Sequence, residues 1–210
     1  GIRKVTAAAR LLESATPAVL PYFAIGLFAG LRRAGLERLD WCEVDFESGL
    51  IEVTAENSKT ARRRFVTMQP NLREWLMPLR KHRGNVVPQE NFRKLFEDAR
   101  EAAGIAEWPD NALRHSFASY HLAHFKDAKS LTLEMGHMNS GTTFAHYWQL
   151  VRPNEAARYW NIRPSTAEEK IVLIATHGRG PERPPPGPRV GGPRPANAGP
   201  KGGMTDEDEV

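Results

Sequence analysis

The sequence predicts a mainly α-helical fold with one small antiparallel β-sheet, an α+β class, followed by a tail without regular structure. Three observations support this prediction. Apolar residues recur at helical spacing, short β-branched and aromatic runs lie between residues 44 and 68, and glycine and proline concentrate near the C-terminus. Of the 26 residues 178–203, eight are glycine and eight are proline, so this stretch cannot form helices or strands.

The N-terminal region predicts three helices. The first is expected to be capped by Thr6 and to run through Ser14. The second lies within the apolar stretch Pro17–Leu31 and ends near Gly30; this stretch is shorter than the ~20 apolar residues that a membrane span needs. A short amphipathic helix then reaches about Leu39. We therefore expect a buried second helix and no membrane association.

Strand character appears next, in the three runs Val44–Phe46, Leu50–Thr54 and Phe65–Met68. A turn at Glu47–Gly49 separates the first two runs, and a looser hairpin tip at Glu56–Ala61 separates the second from the third. Consecutive strands joined by short turns pair in antiparallel fashion. The sequence thus predicts a three-stranded antiparallel sheet.

Helical patterns dominate the chain after the sheet. The predicted segments are 71–82, 89–103, 111–125, 128–135, 142–150 and 154–160. A capping-box pattern, Ser165 with Glu168, then precedes a short apolar element. We therefore predict a folded domain over residues 1–164, a short C-terminal docking element over 165–176 and a disordered Pro/Gly-rich tail over 177–210.

Charge and cysteine content narrow the function classes. The chain has 29 basic and 25 acidic residues, a net charge of +4, and the part from residue 165 onward holds six of the bases and seven of the acids. Residues 1–164 thus carry 23 bases and 18 acids, a net +5, which mildly favours a polyanionic partner. The single cysteine, Cys42, excludes an internal disulfide framework and fits a reducing compartment. The seven histidines lack partners at metal-ligand spacing, so we expect neither a metal nor another cofactor.

Common enzyme signatures such as phosphate-binding glycine loops and HExxH are absent from the sequence. Basic residues instead recur at structural breakpoints: Arg32 follows Gly30-Leu31, Lys59 lies at the hairpin tip, Arg114 lies in Leu-Arg-His-Ser-Phe-Ala, and His137 follows Gly136. Two arginines from separate helices suit a phosphate clamp, because each guanidinium donates two hydrogen bonds. A lysine can deliver a proton, and Tyr147, ten residues after His137, can supply an oxygen nucleophile.

In this order, the motifs resemble the catalytic domain of the tyrosine recombinases, the phage-integrase family, over roughly residues 6–162. The resemblance implies catalytic roles for Arg32, Lys59, Arg114, His137 and Tyr147. It also implies site-specific recombination or integration of double-stranded DNA through a covalent 3′-phosphotyrosine, without metal or cofactor. Further implications are a DNA-bound tetramer, a cytoplasmic, nucleoid-associated location and an origin in a mobile element.

Two positions depart from the family pattern. Asn111 stands where the family usually has His or Lys, and an amide donates to a phosphate oxygen but cannot act as a general base. Gly35 stands where the family commonly has an acidic residue three positions after the first arginine. Asn111 is predicted to be a catalytic residue that donates a hydrogen bond to a phosphate oxygen.

Three consecutive arginines, Arg62, Arg63 and Arg64, follow the hairpin tip and are interpreted as a DNA-binding strip that contacts phosphates. As a plain surface turn they would be solvated side chains. Two alternative functions stay open: a catalytically weakened or inactive DNA-binding relative left by a decayed mobile element, and a helical partner-binding scaffold. The resemblance also implies an N-terminal DNA-clamping domain, to which nothing in these residues corresponds.

Overall fold

The computed structural model of the chain describes residues 2, 4–55, 63–136 and 151–165, all within one compact unit, Gly1–Ser165. In these ranges the α-helices are α1 (Val5–Ser14), α2 (Leu20–Phe28), α3 (Arg33–Arg38), α4 (Pro70–Leu76), α5 (Phe92–Ala102), α6 (Ala112–Phe125), α7 (Ala128–Met135) and α8 (Pro153–Trp160). The strands are β1 (Val44–Asp45), β2 (Leu50–Val53) and β3 (Arg64–Thr67). The predicted helix 142–150 and the chain from residue 166 onward, with most of the docking element and the tail, lie outside the described residues.

The sheet has the order β1-β2-β3 with both pairs antiparallel, which confirms the predicted three-stranded arrangement. In the β2–β3 pair, Leu50 lies opposite Thr67 and Val53 lies opposite Arg64. Ile51, Val53 and Val66 are buried, whereas Phe65 is exposed. Because side chains alternate between the two faces of a strand, one face of this sheet is directed to the core and the other to solvent.

Helix α2 lies at the centre of the core, with all nine of its residues buried. Gly26 lets α6 approach closely, because a Cβ at this position would lie 2.5 Å from Cδ1 of Leu113. On α8, the Tyr159 hydroxyl donates a hydrogen bond to the Leu27 carbonyl (2.6 Å), and its ring stacks on Tyr120 of α6 at 3.9 Å between centroids. Helices α2, α6 and α8 therefore share one packed centre. None of the helices in the described ranges has the length and apolar character needed to span a bilayer.

Three sequence expectations about helix ends were wrong. α1 begins at Val5, after Lys4, so Thr6 lies inside the helix and does not cap it. The helix expected over 71–82 ends at Leu76 and continues only as a 3-10 turn, since Pro78 lacks the N–H that an α-helical hydrogen bond needs. α8 begins with Pro153 at its first position, which places Asn154 within the helix.

Candidate functional site

Arg114 is a buried cation in the interior of the fold, with 6% of its surface exposed. Its Nη1 donates to the Gly30 carbonyl and its Nη2 to the Met135 carbonyl, both at 2.6 Å. These two bonds fix the orientation of the guanidinium. A buried arginine fixed in this way is suited to binding an anion.

Gly30 supplies one of these carbonyls because the chain turns sharply after α2. Its backbone is left-handed (φ 63°), a conformation that glycine adopts without steric cost. A Cβ at this position would lie 2.2 Å from Cδ1 of Phe117 on α6, so only glycine fits between the two helices. The sequence Gly30-Leu31-Arg32 thus places a carbonyl against Arg114 two residues before Arg32, the other arginine of the predicted clamp.

Arg32 immediately precedes α3 in extended backbone and is half-buried. Its neighbour in space is Arg64 on β3. Burial lowers the pKa of Arg64, and the positive charge of Arg32 lowers that pKa further. Gly35, at the position where the resemblance leads one to expect an acidic residue, is buried in α3. Arg32 therefore has no carboxylate from that position beside it.

Arg64 contacts the C-terminal turn of α7. Its Nε donates to the Glu134 carbonyl at 2.9 Å, and a Cβ on Gly136 would lie 3.3 Å from the Arg64 Cδ and Nε atoms. Arg114 binds the next carbonyl along the same turn, that of Met135. The C-terminus of a helix carries partial negative charge, which favours cations there. Arg64 and Arg114 thus meet at one helix end, with Arg32 beside Arg64.

Asn111 immediately precedes α6 in a left-handed backbone conformation (φ 52°, ψ 31°) and is exposed. Asparagine is among the few side chains that adopt this conformation readily. Asn111 and Arg114 line the same cavity, which has a volume of about 660 Å³ and an aromatic wall that includes Tyr22, Phe92 and Trp108. Asn111 and Arg114 therefore border one cavity.

Arg63 and Arg64 have different surroundings, although the sequence groups them in one strip. Arg63 is exposed, forms an ion pair with Glu52 at 2.5 Å and lies 5.0 Å from the ring centroid of Phe65. Arg64 shares the inner face with Val66. The two-residue alternation of a strand could have revealed this difference, because it places positions 64 and 66 on one side.

Four of the predicted site residues lie outside the described residues: Lys59, Arg62, His137 and Tyr147. The other predicted catalytic residues, Arg32, Asn111 and Arg114, are described. Within the described ranges, no three His, Cys, Asp or Glu side chains gather in a way that could hold a metal ion. The described part of the site is thus a cluster of arginines with one amide.

Comparison with known proteins identifies a family and a similar fold. The family model described as the phage integrase family matches residues 6–152. A crystal structure of XerA recombinase superposes with a TM-score of 0.56 at 18% identity, covering 83% of this chain and 64% of that chain. At this identity the likeness shows the fold alone, and it confirms the predicted class of a mainly helical domain with a small sheet. The chain spans less than two thirds of the XerA chain. Comparison with curated protein sequences finds no significant match.

Proposed function

This chain belongs to the phage integrase family, and we propose that it recombines DNA at specific sites by cleaving and rejoining strands through a covalent 3′-phosphotyrosine. The observation that carries the proposal is the buried guanidinium of Arg114, which two backbone carbonyls hold in a fixed orientation; Arg114 and Asn111 also border the same cavity. Arg32 and Arg64 add positive charge nearby. A phosphodiester is the anion that such a cluster would bind in this family.

In the proposed reaction, the Tyr147 hydroxyl oxygen attacks phosphorus and the bond to the 5′-oxygen of the strand breaks. Arg32 and Arg114 stabilise the additional negative charge of the pentavalent transition state. The same cations favour the tyrosinate, whose pKa is ~10 without such neighbours. The arginine cluster would thus serve both the nucleophile and the transition state.

Three further groups complete the proposed site. Lys59 protonates the departing 5′-oxygen, a general-acid step worth about 10²–10⁴ in rate. His137 and Asn111 donate hydrogen bonds to non-bridging phosphate oxygens. The phosphotyrosine ester retains the energy of the broken bond, so a second 5′-hydroxyl can attack it, release Tyr147 and join a new strand without an external energy source.

The proposed partner is double-stranded DNA, bound in part by Arg62 and by the exposed side chain of Arg63. A DNA-bound tetramer follows from the family resemblance, because two duplexes must be cut and exchanged. An enzyme of this kind would act at the nucleoid in the cytoplasm. A gene for it would belong to a mobile element.

One observation favours a second candidate, a DNA-binding relative with weakened or lost activity. Asn111 cannot accept a proton from the tyrosine hydroxyl, and Gly35 provides no carboxylate for Arg32. Such a relative would bind DNA with the salt dependence of phosphate contacts but would form no adduct. A partner-binding scaffold would show neither property.

Covalent trapping tests the proposal. Suicide duplexes with a nick beside the cleavage point would be built from inverted repeats in the DNA that flanks the gene, and adducts would be detected on denaturing gels. We expect an adduct with the wild-type chain and none with Tyr147→Phe. Tyr159→Phe is the matched control: it loses one core hydrogen bond, worth about 1 kcal/mol, and should still form the adduct.

The outcomes separate the candidates. An adduct that persists in Tyr147→Phe would refute the assignment of the nucleophile. Binding with a steep salt dependence but no adduct from the wild-type chain would favour the inactive relative. DNA binding that is absent, or that does not change between a low and a high salt concentration, would favour the scaffold.

A further inference from the structure

Arg64 differs from its neighbour Arg63 in every contact that the structure shows. Arg63 immediately precedes β3, is exposed, pairs with Glu52 and lies over the Phe65 ring. Arg64 is half-buried on the inner face, 70 residues away in sequence from its carbonyl partner at Glu134. A side chain that is held by a backbone carbonyl and covered by protein is poorly placed to track DNA phosphates along a surface.

The contacts of Arg64 converge on the last turn of α7. Its Nε binds the Glu134 carbonyl, and its guanidinium lies against Gly136, which ends the helix in a left-handed conformation (φ 61°). A second residue of β3 acts at the same turn: burial raises the pKa of the Glu134 carboxyl group, and hydrogen bonding by Thr67 opposes that rise. β3 therefore holds both the main chain and the side chain of Glu134.

Arg114 holds this turn from the other side. It joins the Met135 carbonyl to that of Gly30, two residues before Arg32. Successive carbonyls of the turn, at positions 134 and 135, are thus each bound by an arginine from a different element. The residue that follows this turn is His137, after Gly136.

We infer that Arg64 is a positioning residue: it fixes the C-terminal turn of α7, to which His137 is joined through Gly136, relative to Arg32 and Arg114. The inference rests on the proposed function and reassigns Arg64 from the phosphate-contact strip to the support of the catalytic arginines. A loss of position by about 1 Å at a reacting centre costs about 10²-fold in rate. Arg64 should therefore influence the chemical step more than DNA binding.

The test compares three variants with the wild-type chain. Arg64→Met retains the apolar stem over Gly136 but removes the Nε donor and the charge, and Arg64→Lys restores the charge. Arg63→Ala is the comparison for DNA binding, since it removes an equal charge from the exposed residue that immediately precedes β3. Each is measured for single-turnover adduct formation at saturating DNA, for binding at two salt concentrations, and for exchange of the Gly136 amide hydrogen, which donates to the Leu133 carbonyl.

For Arg64→Met we expect adduct formation to slow by about 10- to 100-fold, with the dissociation constant and its salt dependence close to wild type. Arg64→Lys should recover part of the rate. Arg63→Ala should weaken DNA binding and lose about one unit of salt slope. Faster exchange of the Gly136 amide in Arg64→Met, but not in Arg63→Ala, would support the positioning role.

The inference would be overturned if Arg64→Met lost as much salt slope as Arg63→Ala and formed the adduct at the wild-type rate. Arg64 would then be a DNA-binding residue of the predicted arginine strip. A wild-type chain without adduct would refute the proposed function instead. In that case the amide exchange still decides, because unchanged protection of Gly136 in Arg64→Met contradicts the positioning role whether or not the chain is active.

Discussion

Replacing Arg114 by lysine tests how far two backbone carbonyls fix the central cation of the site. The guanidinium reaches the Gly30 and Met135 carbonyls with separate nitrogens, each at 2.6 Å. A lysine has one nitrogen on an unbranched stem, so it cannot take both positions. At least one of these bonds is lost, and the carbonyl concerned stays buried without that donor.

The expected cost follows from this geometry. A hydrogen bond to a charged group contributes about 1.5–3 kcal/mol. We therefore expect Arg114→Lys to lower the free energy of unfolding by about 2 kcal/mol, which reduces the ratio of folded to unfolded chain by roughly 30-fold. Such a loss is a substantial part of the 5–15 kcal/mol that stabilises an average domain.

Urea unfolding, followed by circular dichroism at neutral pH, measures this difference. Arg33→Lys serves as the control, because Arg33 is exposed and pairs with Glu37 one helical turn away, an interaction worth less than about 0.5 kcal/mol. A midpoint for Arg114→Lys within the error of Arg33→Lys would refute the reasoning. It would mean that the two carbonyls do not hold the guanidinium in solution.

Two more predictions concern protonation. Asn111→His should speed adduct formation if the site lacks a general base. Histidine tolerates the left-handed backbone of this position better than most residues do. An unchanged or slower rate in the trapping assay would show that another group or water already accepts the proton. Burial lowers the pKa of His121 to about 4, below its value of about 6.5 in an unfolded chain. As the pH drops, the unfolded state therefore takes up the proton first. The free energy of unfolding then falls between about pH 6.5 and pH 4. Burial raises the pKa of the nearby Glu134, which opposes this trend. We therefore expect His121→Gln to lose about 1–2 kcal/mol less than wild type between pH 7 and pH 5 in urea unfolding, and equal losses in both chains would contradict the assignment.

The sequence was sufficient for elements whose ends have local causes. The helix expected over 128–135 has those bounds in the structure, because Gly136 adopts the left-handed conformation that ends it. The three strands were predicted within one or two residues, since alternation and turn residues are local signals. The helix expected over 71–82 was too long because its apolar spacing continued past Pro78, whose missing N–H ends α-helical bonding.

The candidate site was less accessible from the sequence. Motif order was enough to single out Arg32 and Arg114, since both lie in short patterns with a fixed arrangement. The inward orientation of Arg64 could be inferred only from its two-residue spacing to Val66 on the same strand. Its hydrogen-bond partner, the carbonyl of Glu134, could not be inferred at all. A carbonyl is common to every residue type, so a sequence carries no mark of which one an arginine will bind.

Because Arg64 and Arg114 bind main-chain oxygens, the positions that supply these oxygens differ in the substitutions they tolerate. The side chains of Glu134 and Met135 can be exchanged without removing the carbonyls that Arg64 and Arg114 bind. Gly30 has no such freedom, because Phe117 fills the space that any Cβ would occupy. Apolar exchanges at the buried position 135 therefore leave its anchoring oxygen in place, whereas position 30 is confined to glycine. A saturation library should show this contrast directly.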